Sequence, residues 1–251
     1  MAAWGYPRGV WMPEHLEMLG QTGSGKSFFE RTILVERARL RGSHIVIVAT
    51  KPADKTIAAT GWPIVTTWPP ATGWTKDKKK YEQVIYWAKA DGLGKEGREK
   101  QSAKVEHLLE SLWKPDSNIV VAFDEIAYID GELGLRPQVE RYFREGRGLG
   151  ITVVASTQRP QGVTRYMHSE STWSVFFAPK DEEDAERMAQ VAGYKLYYKR
   201  CLAELDRSQF EFLLVHNMTG EAYISSLPPK PGPIDAAGVP KEPVKKAPPA
   251  E

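Results

Sequence analysis

Short runs of β-branched and aromatic residues alternate along this chain with longer stretches whose apolar positions recur at helical spacing. The short runs predict strands over His15–Leu19, His44–Ala49, Pro63–Thr67, Asn118–Phe123, Ile151–Ser156, Trp173–Ala178 and Phe210–His216. The last can pair with Glu221–Ser225 across a turn at Asn217–Gly220. Helices are expected over Lys26–Arg41, Tyr81–Ala90, Glu99–Trp113, Pro137–Arg147, Glu182–Ala192 and Tyr197–Leu205. The early strands read as continuous apolar runs and not as alternation, so both of their faces should be buried. That pattern predicts an α/β fold: a mostly parallel central sheet flanked by crossover helices.

Two stretches depart from it. Lys76 to Lys104 carries nine basic and five acidic residues with glycines at 92, 94 and 97. It reads as a basic helix–loop–helix insertion. From Leu227 to the end, eight prolines fall in 25 residues, a composition unable to bury enough apolar surface to fold. The expected organisation is an N-terminal arm (1–13), one domain (14–226) and a disordered Pro/Lys-rich tail (227–251).

Composition narrows the class only slightly. With 251 residues and 41% hydrophobic content, one sizeable core can form. A formal charge of +2 leaves a DNA-binding channel open, because local patches make the field. Cys201 is the single cysteine, which excludes an internal disulfide and a cysteine-cluster zinc site. No apolar run approaches the roughly 20 residues that span a bilayer, and the first residues lack a signal-peptide pattern. A soluble cytoplasmic protein is expected, or one carried in a particle assembled there. The five histidines show no metal-ligand spacing.

The chemistry is concentrated at strand ends. Gly20-Gln21-Thr22-Gly23-Ser24-Gly25-Lys26-Ser27 fits GxxxxGK[ST] without a mismatch, after an apolar strand and before a helix. Glycines let successive amides converge on the β- and γ-phosphates of ATP, and the helix N-terminus adds its positive end. Lys26 would reach the terminal phosphates, while the Ser27 hydroxyl would ligate Mg2+. Ile119–Phe123 ends in Asp124-Glu125. An acid at the tip of a buried strand is costly unless a cation or donor meets it. Here Asp124 would hold the magnesium shell, and Glu125 would act as general base on the attacking water.

The stretch Gly146-Arg147-Gly148-Leu149-Gly150-Ile151, running through an apolar strand into Thr157-Gln158-Arg159-Pro160, resembles the FtsK/HerA superfamily pattern. In that family an R-x-x-G-I turn feeds a strand ending in T-Q-R-P, and the motifs of this chain arrive in the family's order. The resemblance covers roughly Leu16 to Gly193. It implies a RecA-like P-loop NTPase core, ATP hydrolysis and assembly into a ring such as a hexamer. It makes Gln158 the γ-phosphate sensor, and Arg147 the arginine finger that reaches a neighbour's nucleotide, with Arg144 and Arg141 as competitors. Lys51-Pro52-Ala53-Asp54 departs from the family's D-x-K order and is left unassigned.

A motor on duplex DNA should grip phosphates. The Lys76–Lys104 stretch and Gln161–Glu170, with Arg165 and Tyr166, are the candidates, each weighed against a plain solvated face. Trp62, Trp68 and Trp74 read as packing residues. Neither the membrane helices nor the C-terminal winged helix of FtsK-type chromosome pumps is expected from the pattern of these 251 residues. Its compactness favours a motor that packages a viral genome, docking on a capsid vertex or portal-like protein. A HerA-like helicase or conjugation pump is the alternative within the class. A non-translocating ATP-dependent assembly switch is the alternative outside it, and kinase activity is a third.

Overall fold

A computed structural model describes residues 10, 12–51, 59–70, 83–92, 94–158, 162–193, 195–227 and 245–246. Its strands are β1 (Leu16–Leu19), β2 (His44–Ala49), β3 (Ile64–Val65), β4 (Gln83–Trp87), β5 (Ile119–Phe123), β6 (Ile151–Thr157), β7 (Trp173–Phe177), β8 (Glu211–His216), β9 (Ala222–Ser226) and β10 (Lys245–Lys246). They form one sheet in the order β10-β9-β8-β7-β1-β6-β5-β2-β4-β3. From β7 to β3 every neighbouring pair is parallel. The strands β8, β9 and β10 continue it antiparallel. The α/β sheet expected from the sequence is present, and the β8–β9 hairpin turns where Asn217–Gly220 placed it.

Six α-helices accompany the sheet among the described residues: α1 (Lys26–Arg41), α2 (Lys95–Leu112), α3 (Arg136–Glu145), α4 (Arg165–Glu170), α5 (Glu182–Val191) and α6 (Lys195–Ala203). The central strands β1, β5, β6 and β7 are buried at every position. Two apolar clusters cover the sheet. One gathers Leu108, Val139 and Phe143 of α2 and α3, and the other Phe29, Ile33 and Leu34 of α1.

Three expectations change. The segment expected as helix over Tyr81–Ala90 is strand β4, hydrogen-bonded to β2 on one side and β3 on the other. Its Val-Ile-Tyr-Trp centre is β-branched and aromatic, which suits a pleated, buried position. The described part of 76–104 is therefore strand, turn and the start of one helix, built into the sheet layer, and not a helix–loop–helix insertion. Helix α3 ends at Glu145, so Arg147 lies in the following 3-10 turn, Gly146–Leu149, and not on the helix. Finally, Leu227 is buried and donates its amide to the Phe210 carbonyl, so the folded region continues past 226. Of the expected tail beyond Leu227, the described residues are Lys245–Lys246, which pair with β9.

The R-x-x-G-I turn owes its shape to Gly150. Its φ of 76° lies in the left-handed region, and a Cβ there would come 3.2 Å from the Asn118 amide nitrogen. Glycine thus lets the chain enter β6 directly beside β5.

His15 fastens the same corner. Its Nδ1 accepts from the Val153 amide at 2.9 Å, and its Nε2 donates to the Phe143 carbonyl at 3.0 Å. The neutral tautomer satisfies both partners, whereas a second proton would face an N–H. Burial, then the charge of Arg147, pushes its pKa down to about 3. The unfolded chain takes up this proton below about pH 6.5 and the folded chain does not. Stability from this group is therefore full above pH 6.5 and is lost as pH falls toward 3. Between pH 7 and pH 5 the loss should be about 2 kcal/mol. Urea unfolding at the two pH values, on wild type and His15→Asn, measures it; the variant should show a correspondingly smaller difference. Equal pH dependence in both proteins would remove the assignment.

Candidate functional site

Because β1, β5 and β6 run parallel and adjacent, the residues that follow them meet at one edge of the sheet. In register, Leu19 pairs with Thr157 and Phe123 with Ala155. The loop after β1 begins at Gly20, the acids after β5 are Asp124 and Glu125, and Gln158 follows β6. Clefts beyond the carboxyl ends of such strands are where open α/β sheets bind ligands.

The 20–27 loop has the form of an anion cradle. Gly23 and Gly25 have φ of 82° and 95°. Gly25, in the left-handed conformation, is the N-cap of α1, so the helix begins at Lys26 with its free amides turned to the loop. At Gly25 a Cβ would lie 2.2 Å from Leu227 Cδ1, so a side chain there would displace Leu227 from the loop. Ser24 Oγ is buried without a hydrogen-bond partner among the described residues. Such an orphan costs stability unless a ligand meets it. Lys26 is 7% exposed, an ammonium withdrawn from water at the helix N-terminus. Its Nζ donates to Ser156 Oγ at 3.4 Å. A buried cation, an unsatisfied hydroxyl and a helix N-terminus together suit a phosphate group.

Asp124 is 6% exposed and Glu125 is half-buried. Thr50, just past β2, points its Oγ1 at Asp124 Oδ2 from 3.5 Å. Thr157 Oγ1 donates to Glu125 Oε1 at 2.8 Å. Gln158 Oε1 accepts from Thr22 Oγ1 at 3.0 Å, so the expected sensor already touches the loop. Gln21 donates to Asp184 on α5. Lys26, Asp124, Glu125 and Gln158, expected from sequence to cooperate, are gathered at this edge, with Ser27 in the first turn of α1. The carboxylate and hydroxyl of Asp124 and Ser27 are the oxygen donors that Mg2+ takes.

The candidate finger residues lie elsewhere. Arg147 precedes β6 and Gln158 follows it, with seven residues between the ends of the strand, a rise of about 23 Å. Arg147 is therefore at the opposite edge from its own phosphate loop. It is exposed, and its nearest acid is Glu170 at 3.8 Å. Arg144 is exposed and lies over the Tyr166 ring, 5.2 Å from its centroid. Arg136 donates to the Gly162 carbonyl, and Thr164 to Glu140. The segment after the sensor is thus fastened to α3, next to both arginines.

Sequence reading missed Ser156, Thr157 and Asp184, whose roles depend on which strands and helices become neighbours. Of the proposed DNA-contacting segments, residues 76–82, 93 and 161 lie outside the described residues, as do Trp74 and Pro52–Asp54. In the described part of the first segment, Lys95, Lys100, Arg98 and Lys104 each pair with an acid. Those pairs favour a solvated face there. Trp68 packs edge-on against Tyr86 and joins the core, as expected of a packing residue.

No protein-family model and no curated protein matches the chain. Solved structures do. The genome packaging NTPase B204 from Sulfolobus turreted icosahedral virus 2, in complex with AMPPCP, superposes with a TM-score of 0.63 at 13% identity. The match covers 86% of this chain and 98% of that one. B204, described as the DNA-packaging ATPase of Sulfolobus turreted icosahedral virus, gives 0.60 at 14% identity, over 87% and 98%. VirB4 of Thermoanaerobacter pseudethanolicus gives 0.63 at 12% identity, over 88% and 93%. At such identities what is shared is the fold, and it is the fold that the FtsK/HerA resemblance implied. Among the described residues no helix is long and apolar enough to cross a membrane.

Proposed function

We propose that this chain is an ATP-hydrolysing motor that moves double-stranded DNA, and that its task is packaging a viral genome. The observation that carries the ATPase reading is the gathering of the buried Lys26 ammonium, Asp124, Glu125 and Gln158 around the 20–27 loop at one sheet edge. Packaging rests on the compact fold shared over almost all of B204.

In this reading the 20–27 amides and Lys26 bind the phosphates, and Ser27 and Asp124 would hold Mg2+, whose charge would offset that of the phosphates. Glu125 takes the proton of the attacking water, and Gln158 hydrogen-bonds the γ-phosphate or that water without titrating. Arg147, too far to serve its own site, acts on the nucleotide of the next subunit, which requires a ring. The segment after β6 is the candidate DNA contact, since it is tied both to the sensor and to α3.

Two measurements test this. Lys26→Ala removes the buried charge facing the phosphates and should weaken ATP binding about ten- to a hundredfold. Wild-type affinity in that variant would exclude the cradle. The hydrolysis rate should rise when duplex DNA is added. A rate indifferent to duplex DNA but responsive to a protein partner would favour the assembly switch.

A further inference from the structure

We propose that Thr157 is a positioning residue for hydrolysis, holding the Glu125 carboxylate so that its second oxygen faces the attacking water. The inference rests on the ATPase reading above and adds a residue to it. The last two residues of β6 and the residue after it each hold a different part of the site. Ser156 Oγ accepts from Lys26 Nζ and donates to the Asp124 carbonyl. Gln158 accepts from Thr22. Thr157 lies between them and does two things. Its carbonyl accepts the Gly20 amide at 3.2 Å, fixing the start of the phosphate loop. Its hydroxyl donates to Glu125 Oε1 at 2.8 Å.

Thr157 is fully buried, so the bond to the carboxylate forms where water competes poorly. Parallel pairing of β5 with β6, in the register Phe123 with Ala155, brings position 125, two residues past β5, level with Thr157 at the end of β6. Glutamate is a flexible side chain. With Oε1 engaged by the Thr157 hydroxyl, one rotamer is favoured, and Oε2 becomes the more basic oxygen for the incoming proton. A general base works only from within hydrogen-bond reach of the proton it takes. One buried residue thus ties the phosphate loop to the base: its backbone holds the loop and its side chain holds the carboxylate. Threonine suits the position because its β-branched stem belongs in a strand while its hydroxyl supplies the donor.

The test is steady-state hydrolysis by the full-length chain in its assembled form, with binding of a fluorescent ATP analogue and thermal unfolding measured alongside. Thr157→Val keeps the shape and removes the donor. The expected result is kcat lowered roughly ten- to a hundredfold, with KM and analogue affinity unchanged. Thr157→Ser, which restores the donor, should recover most of the rate. Because Thr157 acts through Glu125, adding Thr157→Val to Glu125→Gln should lower the residual rate no further. The proposal is overturned if Thr157→Val turns over at the wild-type rate or faster. It is equally overturned if affinity falls in step with rate, if serine fails to rescue a folded protein, or if the two substitutions multiply. A wild-type chain that hydrolyses no ATP overturns the ATPase reading as well. A fully active Thr157→Val beside a stalled Glu125→Gln overturns this inference alone.

Discussion

A Glu125→Gln chain should hold ATP as well as wild type and hydrolyse it about a hundred- to ten-thousandfold more slowly. The amide has the shape of the carboxylate and can still accept from Thr157, so the loop and β5 should stay as they are. What it cannot do is take a proton from water. Binding depends on the other groups, Lys26 above all, and these are untouched. An equilibrium titration with a fluorescent ATP analogue, paired with single-turnover phosphate release, separates the two effects. Wild-type phosphate release from this variant would show that Glu125 is not the base. Loss of binding would show that it is part of the cradle.

Much of this site was legible because strand ends carry it. An exact glycine-rich pattern, an apolar strand stopping in two acids, and a strand ending in Thr157-Gln158 can each be read without coordinates. Parallel topology then brings them together, since β1, β5 and β6 end at the same edge. Contacts that depend on register were not legible. Nothing in the string says that Thr157 lies level with Glu125, or that Asp184, more than 150 residues on, touches Gln21. The misread strand β4 has a similar origin. Its apolar centre is contiguous and carries neither a helical nor an alternating period. Its Glu, Gln, Ala and Lys flanks favour a helix, and pairing with β2 and β3 overrides them. Arg147 was placed on the wrong element, the helix and not the turn after it, because α3 closes two residues early, at Glu145.

That turn also bears on the largest expected effect. Replacing Arg147 by Ala should leave ATP binding intact, with the cradle at the far edge of the sheet undisturbed. Hydrolysis should fall on the order of a thousandfold or more. The guanidinium is exposed, and its ion pair with the half-buried Glu170 is long, at 3.8 Å, so it contributes little to stability. The loss would therefore report a missing catalytic charge and not a damaged fold, which an unchanged melting temperature would confirm. Since β6 separates Arg147 from its own Gln158, the proposed finger would act on another subunit. Specific activity should then rise with protein concentration, or with duplex DNA that templates the ring. Mixing Arg147→Ala with Glu125→Gln subunits isolates this step. At interfaces of one orientation, an intact Glu125 faces an intact Arg147 from its neighbour, and some activity should return. A mixture that stays inactive while the variants co-assemble would place the finger elsewhere or require consecutive competent sites. Graded doping with wild type separates these, because a demand for consecutive sites makes the rate fall more steeply than the dopant fraction. If Arg147→Ala alone is fully active, Arg144 inherits the role. It lies over Tyr166 on the same solvent-facing corner, and Arg144→Ala should then show the thousandfold loss instead.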